Sequence, residues 1–144
     1  MASKVVKWIA ISFLVASMFS NFENVCVNGD TYTAFNTYDS AGRHYSIDGL
    51  YCAAYDSNQT LEWRKEYLWT AYCDKAGQPM EPSLCGTCIQ VTNNSTGQSV
   101  TVRILDRCQN GGLVLEMDAF IAIDRKGKGQ HNGHMFTTYK FVGC

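Results

Sequence analysis

Several things are scarce in this chain of 144 residues, and each scarcity closes a class of explanation. The apolar run from Trp8 to Phe19 is only twelve residues, whereas a bilayer-crossing helix needs about 20. Excess basic charge is missing: the formal net charge is −1. That argues against a broad electrostatic grip on nucleic acid. There are two prolines, Pro79 and Pro82, close together in one loop. No internal repeat, linker or low-complexity tract divides the chain, so its length fits one domain. A second Cys-x-x-Cys pair to complete a zinc site beside Cys85-Gly86-Thr87-Cys88 is also absent. So is the βαβ context that a redox motif would need.

What is present begins with an export signal. Lys4 and Lys7 precede the apolar run, which has the length and charge asymmetry of a secretory leader. Ser17, Ser20 and Gly29 are candidate cut sites. The reading is a leader over 1–29 and a single domain over 30–144, with no membrane span. Without Lys4, Lys7 and Glu23 the domain holds ten basic and twelve acidic residues. A cut near Gly29 also removes Cys26 and leaves Cys52, Cys73, Cys85, Cys88, Cys108 and Cys144. An even count in a small exported chain reads as three disulfides. Six cysteines alone allow 15 connectivities. Asn58-Gln59-Thr60, Asn93-Asn94-Ser95 and Asn94-Ser95-Thr96 are sequons that permit glycans on exported loops.

The chain is organised around residues 85–112. Ile89-Gln90-Val91-Thr92 and Val100-Thr101-Val102-Arg103-Ile104-Leu105 alternate β-branched and polar side chains on either side of Asn93-Asn94-Ser95-Thr96-Gly97. That pattern predicts a hairpin of half-buried strands. Further strands are expected at Thr31–Tyr38, Trp69–Cys73, Leu113–Met117 and Met135–Val142. A turn is expected at Asp48-Gly49, and a short segment of open type at Leu50–Tyr55. Met117, Phe120, Ile121 and Ile123 predict a short helix ending before Gly127. Short strands with frequent turns and two small helices indicate a closed all-β barrel, which also removes exposed sheet edges. The segment Asp124-Arg125-Lys126-Gly127-Lys128-Gly129 lacks the alternating acidic ligands of a calcium loop and reads as a basic turn. No metal and no cofactor is expected.

The segments Leu61-Glu62-Trp63-Arg64-Lys65-Glu66-Tyr67-Leu68-Trp69-Thr70-Ala71-Tyr72-Cys73, Cys85-Gly86-Thr87-Cys88, Arg103-Ile104-Leu105-Asp106-Arg107-Cys108, Gly111-Gly112-Leu113 and Gly133-His134 resemble barwin. This is the plant pathogenesis-related family that includes wound-induced proteins and the C-terminal domain of hevein precursors. The resemblance covers Tyr32 to Cys144 and all six cysteines. It implies a six-stranded double-psi β-barrel with the pairs Cys52–Cys85, Cys73–Cys108 and Cys88–Cys144. It also implies a secreted defence protein of the apoplast or vacuole, active against fungi and bacteria. Such proteins bind chitin-type oligosaccharide, and several cleave RNA. Three departures stand out. Asn36 occupies the place of a usual His, Val114 the place of a usual carboxylate with Glu116 for a second, and Arg107 the place of a usual Gln.

Metal-free RNA cleavage needs a base for the 2′-hydroxyl and an acid for the leaving oxygen. His134 is the one matched histidine; His44 and His131 are unmatched. Asp106 would orient it or hold a ribose hydroxyl, and Arg103 or Arg107 would take phosphate. In the competing structural reading, His134 caps a turn and Asp106 bonds backbone amides. Glycoside hydrolysis needs two carboxylates across a groove, and Val114 removes one, with Glu116 or Asp118 as substitutes. Binding asks less: Phe35, Asn36, Arg103, Arg107 and Gln109 are the candidate contacts, with aromatic faces from a set comprising Tyr32, Phe35, Trp63, Tyr67, Trp69 and Tyr72. Three expectations therefore stand for a monomeric protein: a weak ribonuclease through His134 and Asp106, a lectin-like module for chitin fragments, or an expansin-like wall-binding protein.

Overall fold

A computed structural model of the protein describes residues 30–38, 47–73 and 79–144. The proposed leader with Cys26, and His44, lie outside the described residues. Six strands are present: β1 (Thr31–Asn36), β2 (Leu68–Cys73), β3 (Cys88–Asn93), β4 (Ser99–Arg107), β5 (Gly112–Glu116) and β6 (Met135–Val142). They close into a barrel in the order β1-β5-β2-β4-β3-β6. The pairs β1/β5 and β2/β4 are parallel, and the other four are antiparallel. The expected six-stranded double-psi barrel is the observed fold.

The central hairpin is β3 and β4, with Ile89 opposite Val102 and Val91 opposite Val100. Alternation sends Ile89, Val91, Val102 and Ile104 inward, where they meet Tyr72, Leu113, Leu115, Phe120, Ile123, Met135 and Tyr139. The inner volume is filled by branched and aromatic side chains, as a small barrel requires. A second cluster lies on the outer wall, where Tyr38 and Leu50 cover Trp69, Ala71 and Leu105.

Three short α-helices decorate the barrel: α1 (Leu61–Lys65), α2 (Met117–Ile123) and α3 (Lys128–Asn132). Thr60 caps α1 by accepting the Trp63 amide at 3.1 Å. The predicted helix at Met117–Ile123 is α2, whose Phe120 and Ile123 are buried in the barrel's core cluster. The segment read as a basic turn instead leads into α3. Asp124 accepts the amides of Gly129 at 3.0 Å and Gln130 at 2.7 Å, which fixes that turn. The segment of open type contains a 3-10 turn at Tyr51–Ala54.

The disulfides are Cys52–Cys85, Cys73–Cys108 and Cys88–Cys144, with Cα separations of 5.4, 4.8 and 5.3 Å. The pairing implied by the resemblance is therefore the observed one. Two of the three converge on the end of β4. One fastens the 3-10 turn to the hairpin's entrance, and the other ties the end of β2 to Cys108. Removing a native disulfide from a small domain typically costs about 2–5 kcal/mol, so this end of β4 is held covalently as well as by packing.

Gly112 shows how tightly strands cross. It has φ +92°, and a Cβ there would collide with the Tyr32 carbonyl oxygen. Only glycine accepts that φ and that approach together.

Candidate functional site

The β2/β4 ladder contains an irregularity: Thr70 pairs with Ile104, but Ala71 pairs with Asp106. The extra residue, Leu105, sits in the outer cluster. Such a bulge re-aims the residues that follow it. Here it delivers Asp106 to a corner where three donors converge. Oδ2 accepts the Tyr38 hydroxyl at 3.0 Å; Oδ1 accepts the Tyr51 amide at 3.1 Å and the Arg107 amide at 2.8 Å. Asp106 thus ties Tyr38, two residues after β1, the 3-10 turn and its own strand to one carboxylate.

Around that anchor lies a polar, aromatic surface. The exposed Arg107 guanidinium stands 4.5 Å from the Tyr51 ring centroid. Tyr51 in turn lies 5.4 Å from Tyr55, which is 53% exposed. The Tyr51 hydroxyl donates to the Met80 carbonyl at 3.2 Å. Its pKa is raised above the ordinary phenol range, chiefly by the hydrogen bond to Tyr55 and then by desolvation. Gln109 is exposed in the bend that follows.

From this corner a row of paired residues crosses the outer wall. Asp106 pairs with Ala71, Ala71 with Val114, and Val114 with Ala34. On the far side of β1, the last ladder pair with β6 is Thr33 with Met135. Continuing that register by one residue sets His134 level with Ala34. At about 4.8 Å per strand, the row carries Asp106 and His134 to positions four strand spacings apart, on the order of 19 Å along the wall. Between them Ala71 is buried beneath Tyr38 and Leu50, Val114 and Ala34 are half-buried, and Asn36 is exposed on the same face of β1 as Ala34.

The far end is aromatic. His134 stacks on Tyr32 with centroids 4.8 Å apart and planes 20° from parallel. Phe136 meets His134 edge-on at 5.7 Å and Tyr32 edge-on at 6.3 Å. Tyr32 and Phe136 are each 49% exposed. Beside this shelf opens a cavity of about 280 Å³ whose lining includes Asn93, Thr96, Lys126, Lys128, His134 and Phe136.

The sequence expectations divide accordingly. Asp106, Arg107 and Gln109 share the corner. Arg103 does not: it is 1% exposed, lies 3.7 Å over the Trp63 ring and donates to the Trp63 carbonyl at 2.6 Å. It also reaches Glu66 at 3.3 Å. That corrects its reading as a phosphate ligand: four residues apart on one strand, with the bulge between them, Arg103 braces α1 while Arg107 faces solvent. Phe35 is corrected likewise, since it packs 4.8 Å from Phe120 against the core. Asn36 uses its Oδ1 to accept the Thr37 amide at 2.8 Å.

His134 and Asp106 are not brought together, so they form no acid–base pair. His134 Nδ1 lies 3.1 Å from the Asn132 carbonyl, close to the turn-capping alternative. Glu116, a substitute carboxylate in the sequence reading, is buried and accepts the Trp69 amide at 3.0 Å. Asp118 is exposed in the first turn of α2, and Val114 occupies the middle of the row. His131 is exposed on α3. Among the described residues no group of three His, Cys, Asp or Glu could hold a metal ion, and no helix is long and apolar enough to cross a membrane.

Sequence reasoning missed Tyr38, Tyr51, Tyr55 and Phe136. Two of the three donors to Asp106, from Tyr38 and Tyr51, come from segments far away in sequence, and the Tyr51 donor is a backbone amide with no side-chain signature. Phe136 was legible as an outward position, because it alternates with the buried Met135 and Thr137.

The model of the Barwin family matches residues 27–144. The chain belongs to the Barwin family. Solved structures share its barrel at low identity. Cerato-platanin 2 from M. perniciosa superposes with a TM-score of 0.62 at 14% identity, covering 80% of this chain and 95% of that one. Cerato-platanin 3 from the same organism gives 0.61 at 17%, covering 79% and 94%. The d78n mutant of a Clavibacter michiganensis expansin, in complex with cellohexaose, gives 0.50 at 19%. That match covers 78% of the Barwin chain and 49% of the expansin. These likenesses concern the double-psi fold. A small fold carrying three disulfides is typical of secreted proteins.

Proposed function

We propose that this Barwin protein is a secreted defence protein that acts at cell walls by binding β-1,4-linked glycan chains, of cellulose or chitin type, along its outer wall without cleaving them. One observation carries the reading: a row of register-paired residues links the Asp106 corner to the Tyr32–His134–Phe136 shelf, with the half-buried Val114 and Ala34 as the small-side-chain floor next to the shelf. A floor of this kind fits an extended chain of rings. The shelf offers apolar ring faces for a sugar to stack on, and Arg107, Gln109 and Tyr55 offer donors and acceptors for its hydroxyls. The expansin's complex with cellohexaose supports the same ligand class on the same fold.

The wide spacing favours binding over turnover. General acid–base catalysis requires each group within hydrogen-bond reach of the proton it moves, and His134 lies across the wall from Asp106. Asp106 itself is occupied by three donors. Among the described residues, neither ribonuclease nor glycosidase chemistry finds its second group at this corner.

The test is to fill the floor. Ala34→Trp places a large ring over Val114 from an outward position, leaving the interior untouched. Depletion isotherms on insoluble chitin and cellulose should show saturable binding by the parent protein, and a loss of about tenfold or more in affinity for Ala34→Trp, equal to about 1.4 kcal/mol. Unchanged binding by a folded Ala34→Trp protein, or no saturable binding by the parent, removes the reading.

A further inference from the structure

Three overlapping or separate sequons stand in the described residues, and the structure distinguishes two of them sharply. Asn93 is 3% exposed. Its Nδ2 donates to the Ile123 carbonyl at 2.9 Å, and its Oδ1 accepts the Ser95 amide at 2.8 Å. A sugar on that nitrogen would break the link between the β3/β4 turn and α2. Asn94, the next residue, is exposed in the turn. Its Nδ2 donates to Asp30 at 2.5 Å, and a glycosylated asparagine amide keeps one N–H for such a bond.

Asn94 is also fastened to the aromatic shelf. Its backbone N–H donates to the Phe136 carbonyl at 3.1 Å. Its side-chain partner, Asp30, immediately precedes β1 and lies two residues before Tyr32. The cavity of about 280 Å³ is lined by Ser95 and Thr96 of the same turn and by His134 and Phe136 of the shelf. The three disulfides require an oxidising secretory compartment, which is where N-linked glycans are added.

We infer that Asn94 carries an N-linked glycan whose first N-acetylglucosamine lies on the Phe136–His134–Tyr32 shelf, filling the aromatic end of the groove from within the same molecule. The half-exposed rings of Tyr32 and Phe136 then have an occupant of fitting chemistry, since the apolar face of a pyranose packs on an aromatic ring. The consequence for binding rests on the proposed function: the attached sugar competes with an external chain for the shelf, so glycosylation lowers wall affinity.

Two experiments separate the parts. Protein secreted from a eukaryotic host is treated with peptide N-glycosidase F in ¹⁸O water and mapped by peptide mass. Labelled aspartate is expected at position 94 and unlabelled asparagine at 93. Ser95→Ala deletes the triplet of Asn93 while keeping that of Asn94, and should leave occupancy unchanged; Asn94→Gln should abolish it. An unlabelled position 94, a label at 93, or loss of the glycan in Ser95→Ala overturns the site. In the intact glycoprotein, the N-acetyl methyl resonance should be shifted by ring currents, and return to its free position in Phe136→Ala. An unshifted methyl overturns the stacking. Asn94→Gln should then bind chitin several-fold more tightly than the glycosylated parent. Equal binding by the two overturns the competition alone, leaving the parent's own binding as the separate measure of the proposed function.

Discussion

The two ends of the groove are built by different means. The Asp106 corner gathers Tyr38, a 3-10 turn and the bulged end of β4 around one carboxylate, and two disulfides close on it. The shelf is made by residues paired across two adjacent strands: Tyr32 from β1 with Phe136 from β6 and His134 just before it, held by ring contacts and open to solvent. The first is a strut that cannot change without unsettling the fold. The second can be altered at little structural cost. A contact surface of this kind separates rigidity from adjustable affinity.

That contrast can be broken, beginning with its strongest member. Asp106→Ala leaves the Tyr38 hydroxyl and the Tyr51 and Arg107 amides without their acceptor. At about 1 kcal/mol or more for each lost bond, stability should fall by about 3 kcal/mol, read as a lower urea midpoint with an unchanged slope. A loss under about 1 kcal/mol would mean that the corner is not a strut.

Next come the two arginines of β4. Arg103→Met removes the hydrogen bond to the Trp63 carbonyl and the stacking on that ring. About 2 kcal/mol should be lost, with little change in glycan affinity beyond the loss of folded protein. Arg107→Met should cost less than about 0.5 kcal/mol, as an exposed substitution does, yet weaken binding. Reversed outcomes would exchange the roles assigned to the pair.

At the shelf, His134→Ala should cost less than about 1.5 kcal/mol, the upper range for one aromatic pair, and should reduce glycan affinity several-fold. Calorimetry reads both quantities on one preparation.

The smallest effect is at Tyr51. Its raised pKa favours the protonated phenol in the folded state, so its contribution is fully present below the ordinary phenol range and is lost as pH rises through the folded value. Tyrosinate absorbance should show one phenol ionising later than the rest, and Tyr55→Phe should bring it earlier. A uniform titration in the parent protein would contradict that.

The sequence carried the frame further than the site. Alternation in residues 89–92 and 100–105 specified the hairpin, and apolar spacing at Met117, Phe120 and Ile123 specified α2. Their local side-chain patterns are what the barrel buries. The site depended on information with no local pattern. A bulge at Leu105 moved Asp106 by one place in register, and Arg103 went from a free cation to a buried brace because Trp63 and Tyr67 folded over it. His134 and Asp106 looked like a pair because both belong to the family's motifs. The register sets them at opposite ends of a row that crosses β4, β2, β5 and β1 to the residue before β6.

The most direct measurement is a ¹H–¹⁵N chemical-shift titration of the folded protein, freed of glycan, with cellohexaose and a chitin oligomer. Saturable shifts should appear at both ends of the row, at the amides of Tyr51 and Arg107 and at those of Tyr32, His134 and Phe136, with one dissociation constant. Shifts confined to one end, or two independent constants, would contradict a single groove running between them.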